Sequence, residues 1–152
     1  MSGRKNYYKK MKPKIFITGS SGFIGFHVAK KLLDLGLKVH GYDSMNSYYD
    51  VNLKRARLSI LKKYKNFSFT KGLLENEKKV RNINVRFKPN IIIHLGAQAG
   101  VRHSINNPNI YIKSNIIGTY NILKIASKMK VKHLLIGSSS SVYGANKDFP
   151  FK

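Results

Sequence analysis

A doubly wound α/β fold on a parallel sheet of about five strands is the class this sequence predicts. Three observations carry that prediction. Short apolar runs alternate with longer segments of helical period along the whole chain. The strand-like runs, such as "KIFIT" and "NIIIHL", stay apolar through their middles. Strands covered on both faces look like that, and parallel sheets bury both faces. A glycine-rich turn also stands where the first strand gives way to the first helix.

The elements follow in order. "KIFIT" (14–18) is the first strand. From Phe23 the period becomes helical, with Ile24, Val28, Leu32 and Leu35 near one face. Gly36 is placed to end that helix, because glycine accepts the left-handed conformation of a helix end. "LKVHGY" (37–42) is the second strand. A helical pattern around 50–64 carries Leu53, Ala56, Leu58, Ile60 and Leu61. "FSFT" (67–70) is the third strand, and 74–87 is helical. "NIIIHL" (90–95) is the fourth strand. Pro108 behind Asn107 suits the first position of a helix, which runs to about Met129. "KHLLIGS" (132–138) is the fifth strand. Ligands of such sheets sit at the carboxyl ends of the strands, near the switch point. Each motif below falls at such an end.

Composition narrows the function classes. The chain has 152 residues and 42% hydrophobic content, enough for one domain with a core. There is no Cys, which excludes a disulfide framework and a thiolate metal site. His27, His40, His94, His103 and His133 lack metal-ligand spacing, so no metal is expected. The longest apolar runs, such as "IIIHLGA", are too short to span a bilayer, and no secretory leader is visible. A cytoplasmic location with no membrane partner is the expectation. Residues 1–12 are expected to form a basic tail ahead of a domain at 13–152, and Met11 is an alternative start. The net charge of +23 would attract anions. Its lysines are scattered over helix surfaces without a basic, aromatic-interleaved motif, so nucleic acid is not the expected partner.

"TGSSGFIG" carries the chemistry. Gly19, Gly22 and Gly25 are spaced G-x-x-G-x-x-G between the first strand and its helix. One glycine allows the tight turn, one lets a pyrophosphate approach the backbone, and one lets helix and strand pack closely. The helix N-terminus adds free N–H groups and partial positive charge. Asp43, eighteen residues after Gly25, closes the second strand. That is near the ~20 expected of a carboxylate that accepts ribose hydroxyls. A 2′-phosphate would be repelled there, so the pattern favours NAD over NADP. The fold class is then a Rossmann-like doubly wound sheet.

"ITGSSGFIG", "HLGAQAG" and "SSSSVYG" together resemble the extended short-chain dehydrogenase/reductase superfamily of NAD-dependent sugar-nucleotide epimerases and dehydratases. "GFIGFHVAKKLL", "YDSMNSYYDVNLKRARL", "QAGVRHSINNP" and "SSSSVYGANKDFPF" are most similar to UDP-glucuronate 4-epimerases. The resemblance runs from about residue 13 to the end. It implies that Gly19, Gly22, Phe23, Ile24 and Gly25 cradle the NAD pyrophosphate and that Asp43 holds the adenosine ribose. Leu95, Gly96 and Ala97 would line the nicotinamide side, with Leu74 in the cofactor set and Asn115 shaping the helix nearby. Ser139 would be the catalytic serine that bonds the sugar 4-hydroxyl, with Ser140 and Ser141 facing the sugar. Arg102, in the loop after the fourth strand, is a candidate for an anionic substrate group; a plain surface arginine is the competing reading.

Two departures from the family pattern stand out. After the third strand the family has Gly-Asp-Leu, whereas "KGLLEN" places Leu73 where that Asp belongs. Losing one acceptor weakens NAD binding by about 1 kcal/mol. Family members also run to about twice this length. The expectation is therefore a C-terminally truncated Rossmann domain without its substrate domain, UDP-sugar binding through the missing part, and a homodimer open to a full-length enzyme. The family's Tyr-x-x-x-Lys would come later. A spacing of that kind at Tyr143–Lys147 lies in "YGANK", which reads as a loop. The competing functions are a non-catalytic dinucleotide-binding module, a different NAD-dependent dehydratase or reductase, and a basic nucleic-acid-binding protein.

Overall fold

A computed structural model of the chain describes residues 13–146 and 149–150. The expected tail at 1–12 lies outside the described residues, as does Lys147. Five strands form one sheet: β1 (Lys14–Thr18), β2 (Lys38–Asp43), β3 (Phe67–Lys71), β4 (Ile91–His94) and β5 (His133–Ile136). Their order is β3-β2-β1-β4-β5, and each neighbouring pair is parallel. The chain moves outward from β1 through β2 to β3, then returns to the other side of β1 for β4. The switch point thus lies between β1 and β4, where open α/β sheets hold their ligands.

Helices cover both faces. On one side α1 (Phe23–Asp34) and α2 (Val51–Leu61) bury Ile15, Ile17 and Val39 of the sheet under Phe26, Ala29, Leu33 and Leu61. On the other, α3 (Glu77–Phe87) and α6 (Gly118–Lys128) close over Phe16, Tyr42 and Ile92 with Val80, Ile122 and Ile125. Ile15 and Ile17 point one way and Phe16 the other, as the two-residue period of a strand requires.

Gly36 ends α1 as expected. It sits at φ +76°, its N–H donates to Leu33 O at 2.8 Å, and Leu37 N–H donates to Leu32 O at 3.1 Å. That pair of bonds is the Schellman arrangement. The buried stripe of α1 differs from the expected one. It is Gly25, Phe26, Ala29 and Leu33, while Ile24 and Leu35 are exposed. Close approach to the turn after β1 selects Gly25, and packing on the sheet selects the small Ala29; a hydrophobicity pattern undervalues both. In α2, likewise, Leu53 and Ile60 are exposed while Lys54 is buried.

The segment after β4 departs most. A short helix, α4 (Val101–Asn106), replaces the expected loop. The long helix beyond it is composite: α5 (Pro108–Tyr111), a π-helical segment (Ile112–Ile117), then α6. Pro108 does stand at its start behind Asn107.

Candidate functional site

The carboxyl ends of β1, β2, β4 and β5 lie in register. Thr18 is opposite Tyr42 on one side and His94 on the other, and His94 is opposite Ile136. The loops that leave these ends converge by construction.

The loop after β1 is compact. Gly19 has φ +69°, a conformation that glycine adopts freely. A Cβ there would lie 2.9 Å from Gly96 Cα, so the loops after β1 and β4 touch backbone to backbone. A Cβ on Gly25 would fall 2.1 Å from Gly19 O. Gly22 caps α1, and its N–H donates to Gly19 O at 3.0 Å. Phe23 and Ile24, in the first turn, are 66% and 63% exposed, so that end of the helix faces solvent. Ser20 and Ser21 are fully buried in the same loop, and neither hydroxyl has a hydrogen-bond partner among the described residues.

Asp43 is buried beside this loop. Its Oδ2 accepts from Ser21 N–H at 3.0 Å and its Oδ1 from Met45 N–H at 2.8 Å. The carboxylate therefore joins the glycine loop to the end of β2, and each oxygen keeps a further lone pair. Tyr42 donates its hydroxyl to Leu73 O at 2.8 Å. Burial, with Glu75 nearby, pushes its pKa up to about 12, so it remains a donor. Leu73 is 53% exposed, whereas Leu74 is buried. A Cβ on Gly96 would meet Leu74 Cδ1 at 3.1 Å, and one on Gly118 would meet Leu74 Cβ at 2.6 Å. Leu74 is thus a spacer between the β4 loop and α6.

Leu95, Gly96 and Ala97 follow β4. Leu95 and Gly96 donate their N–H groups to Thr18 Oγ1 at 3.1 and 2.9 Å. Asn115, in the π-helical segment, holds the next residue of note. Its Oδ1 accepts from Gln98 N–H at 2.8 Å and its Nδ2 donates to Gln98 O at 2.9 Å. The serines leave β5 beside this loop, since Gly137 N–H donates to His94 O at 2.9 Å. Ser139, extended and exposed, precedes a short 3-10 helix (Ser140–Tyr143) that carries Ser140 and Ser141, also exposed. Tyr143 closes that helix, and Gly144 turns out of it at φ +59°. Arg102 is exposed on α4.

The family model described as GDP-mannose 4,6 dehydratase matches residues 16–152. The chain belongs to the NAD-dependent epimerase/dehydratase superfamily. A probable UDP-glucuronate 4-epimerase of Rhizobium meliloti is 46% identical over 91% of this chain and 40% of that protein. The crystal structure of UDP-glucose 4-epimerase from Thermotoga maritima, with UDP-glucose, has a TM-score of 0.73 at 33% identity, covering 89% of this chain and 41% of that one. The UDP-glucose 4-epimerase of Bifidobacterium longum, in complex with NAD+ and UDP, has a TM-score of 0.74 at 28% identity, covering 90% and 40%. This superfamily member thus spans about 40% of the length of the relatives it matches.

Several residues of the site escape a sequence reading. Lys54 is a buried cation whose Nζ donates to Asn46 O at 3.0 Å and to Asn46 Oδ1 at 2.8 Å. Gln98 is buried; it stands inside "HLGAQAG", where the resemblance assigns roles only to Leu95, Gly96 and Ala97. Tyr48, His103 and Tyr111 form an aromatic group at Gly100, with Tyr48–His103 centroids 4.9 Å apart and His103–Tyr111 centroids 5.9 Å apart. Tyr120–Lys124 is a further Tyr-x-x-x-Lys, and it does lie on a helix. Its geometry does not suit a catalytic pair. Lys124 is bonded to Glu77 at 2.8 Å, and Tyr120 is 60% exposed on the outer side of α6.

Proposed function

We propose that this chain is the NAD-binding part of a nucleotide-sugar epimerase that inverts C4 of UDP-glucuronate through a 4-keto sugar. The observation that carries the cofactor assignment is the meeting of Gly19 and Gly96 at the switch point, with Asp43 beside them. The orphaned, buried hydroxyls of Ser20 and Ser21 fit a polar ligand at that loop. Gly19, Gly22 and Gly25 leave room for a pyrophosphate, and the exposed first turn of α1 offers its N–H groups. Asp43 takes the adenosine ribose, and Leu95, Gly96 and Ala97 support the nicotinamide side. NAD, when bound, supplies the acceptor that takes up a hydride and gives it back. Ser139, at the end of β5, positions the sugar 4-hydroxyl, with Ser140 and Ser141 beside it. The substrate class is supported by the UDP-glucuronate and UDP-glucose epimerases among the relatives.

The 152-residue chain alone is expected to bind NAD without epimerising. Tyr120–Lys124 faces outward, and Tyr143 stands where the chain leaves helical conformation, so neither tyrosine is set to act as a base on a sugar at Ser139. Calorimetric titration with NAD and NADP, followed by incubation with UDP-glucuronate, tests both statements. NAD should bind more tightly than NADP, and no C4 epimer should form. Failure of NAD to bind would overturn the cofactor assignment; epimer formation would overturn the inactivity. A dehydratase is the second reading, because the matching family model is described as one. A holoenzyme containing this chain would then release a 4-keto-6-deoxy product from a hexose nucleotide.

A further inference from the structure

His94 ends β4 and is 3% exposed. Its Nδ1 lies 2.7 Å from Thr18 Oγ1, and its Nε2 lies 3.0 Å from Thr119 Oγ1. Those two hydroxyls belong to different parts of the fold. Thr18 ends β1, just before the glycine loop, and Thr119 is the second residue of α6, directly behind the π-helical segment.

The proton positions follow from counting. A threonine hydroxyl has one proton to donate and two lone pairs to accept with. Thr18 Oγ1 already accepts from Leu95 N–H and from Gly96 N–H. Its proton is then left to point at His94 Nδ1, which must accept it. The imidazole is therefore neutral, with its own proton on Nε2, and that N–H donates to Thr119 Oγ1. Burial acts in the same sense, holding the ring's pKa down at about 4. The result is a one-way chain of donors from the β4 loop, through Thr18 and His94, to α6.

This chain bears on the site because the loop it holds is packed against the glycine turn. A Cβ on Gly96 would lie 3.1 Å from Gly19 N, so the loop runs close against the glycine turn with no room for a side chain between them. The bonds to Thr18 keep it from moving away. We propose that His94 is a positioning residue: it fixes the direction of the Thr18 hydroxyl and thereby couples the height of the Leu95–Ala97 loop to α6. The inference rests on the dinucleotide reading of that loop. It adds a dependence of cofactor affinity on Thr119, which lies on another element.

The experiment uses the full 152-residue chain and two readouts. The first, without cofactor, is nuclear magnetic resonance of the His94 ring nitrogens and of the Leu95 and Gly96 amides. The Nε2–H tautomer is expected, and Thr119→Val should shift both amides and speed their hydrogen exchange, with Thr119→Ser restoring them. An Nδ1–H tautomer, or amides indifferent to Thr119→Val, would overturn the relay. The second readout is NAD titration of Thr18→Val, Thr119→Val and the double variant. Thr119→Val should weaken binding about fivefold, the scale of one net hydrogen bond, and Thr18→Val by more, because it also removes the acceptor of two amides. The double variant should weaken it by less than the product, because either change already breaks the chain. Multiplying effects, or Thr119→Ser no better than Thr119→Val, would also overturn it. If the wild-type chain takes up no NAD while the first readout holds, the dinucleotide reading has failed and the relay has not. Should Thr119→Val fail to fold, the wild-type tautomer and the titration of Thr18→Val still decide.

Discussion

Gly25 and Gly36 are glycines for different reasons, and substitution separates them. At Gly36 a Cβ would meet open space, but φ is +76°. Alanine there carries only the left-handed penalty, about 1 kcal/mol. At Gly25 a Cβ would sit 2.1 Å from a backbone oxygen that cannot swing aside. Gly25→Ala should cost about 3 kcal/mol in urea unfolding, the upper range of overpacking, and should also remove NAD binding. Equal losses would mean that the glycine loop is looser than described. The G-x-x-G-x-x-G spacing made Gly25 legible from the sequence alone. Gly96 was legible only by resemblance, because its reason for being small is a neighbour that β1–β4 pairing brings in from 77 positions away. The buried histidines give a second test at this scale. Burial holds His40 and His94 at about 4, below the ordinary 6.5. Their depressed pKa values mean that the unfolded chain binds more protons between those limits. Stability is then fully present above about pH 6.5 and falls as pH drops toward 4, by up to about 1.4 kcal/mol per pH unit for each ring. His40, between Ser68 and Thr70 hydroxyls at 2.8 and 3.1 Å, can be replaced by Gln to keep polar contacts. His40→Gln should halve the slope of unfolding free energy against pH in that window, and an unchanged slope would count against the buried, neutral ring.

Elements were legible where one signal decided them and obscure where packing did. All five strands fall within a residue or two of their expected bounds, because continuous apolar runs and turn residues mark them on both sides. The helix from Pro108 was expected to be uniform, yet it contains a π-helical turn at Ile112–Ile117. Hydrophobic period does not register one widened turn. The packing supplies a reason for it: Gly118 must approach Leu74 closely, while Asn115 must face Gln98. A widened turn lets both happen on one helix. Asn115 then replaces a strand partner for Gln98, accepting from its N–H and donating to its carbonyl. Asn115→Asp keeps the acceptor and turns the donor into a second oxygen facing Gln98 O. Asn115→Ala should cost about 2 kcal/mol, two net hydrogen bonds. Asn115→Asp should cost more, because it adds repulsion at a half-buried contact. Thermal unfolding of the two variants checks the order, and a milder loss for Asp would show that the amide does not bond both groups of Gln98.

At the scale of the molecule, two opposing features set its behaviour in solution. β5 is an edge strand whose Leu135 and Ile136 are 45% and 44% exposed. The composite helix shows Ile112, Ile116, Tyr120 and Leu123, at helical spacing, between 45% and 65% exposed. An open apolar edge and an exposed apolar helix face each invite association. Against it stands the net charge of +23, with lysines on α1, α2, α3 and α6 and in the turns after α2 and α6. Like charge repels over about 30 Å at 0.01 M salt but only about 3 Å at 1 M. Salt should therefore promote self-association rather than dissolve it. Sedimentation velocity should find a monomer near 17.3 kDa at low ionic strength and larger species as salt rises. Ile116→Lys and Leu135→Lys should each push the transition to higher salt, by adding charge and removing apolar surface together. Association that weakened with salt would point instead to ionic contacts, with the few acidic side chains bridging copies, and the apolar edge would then play no part in it.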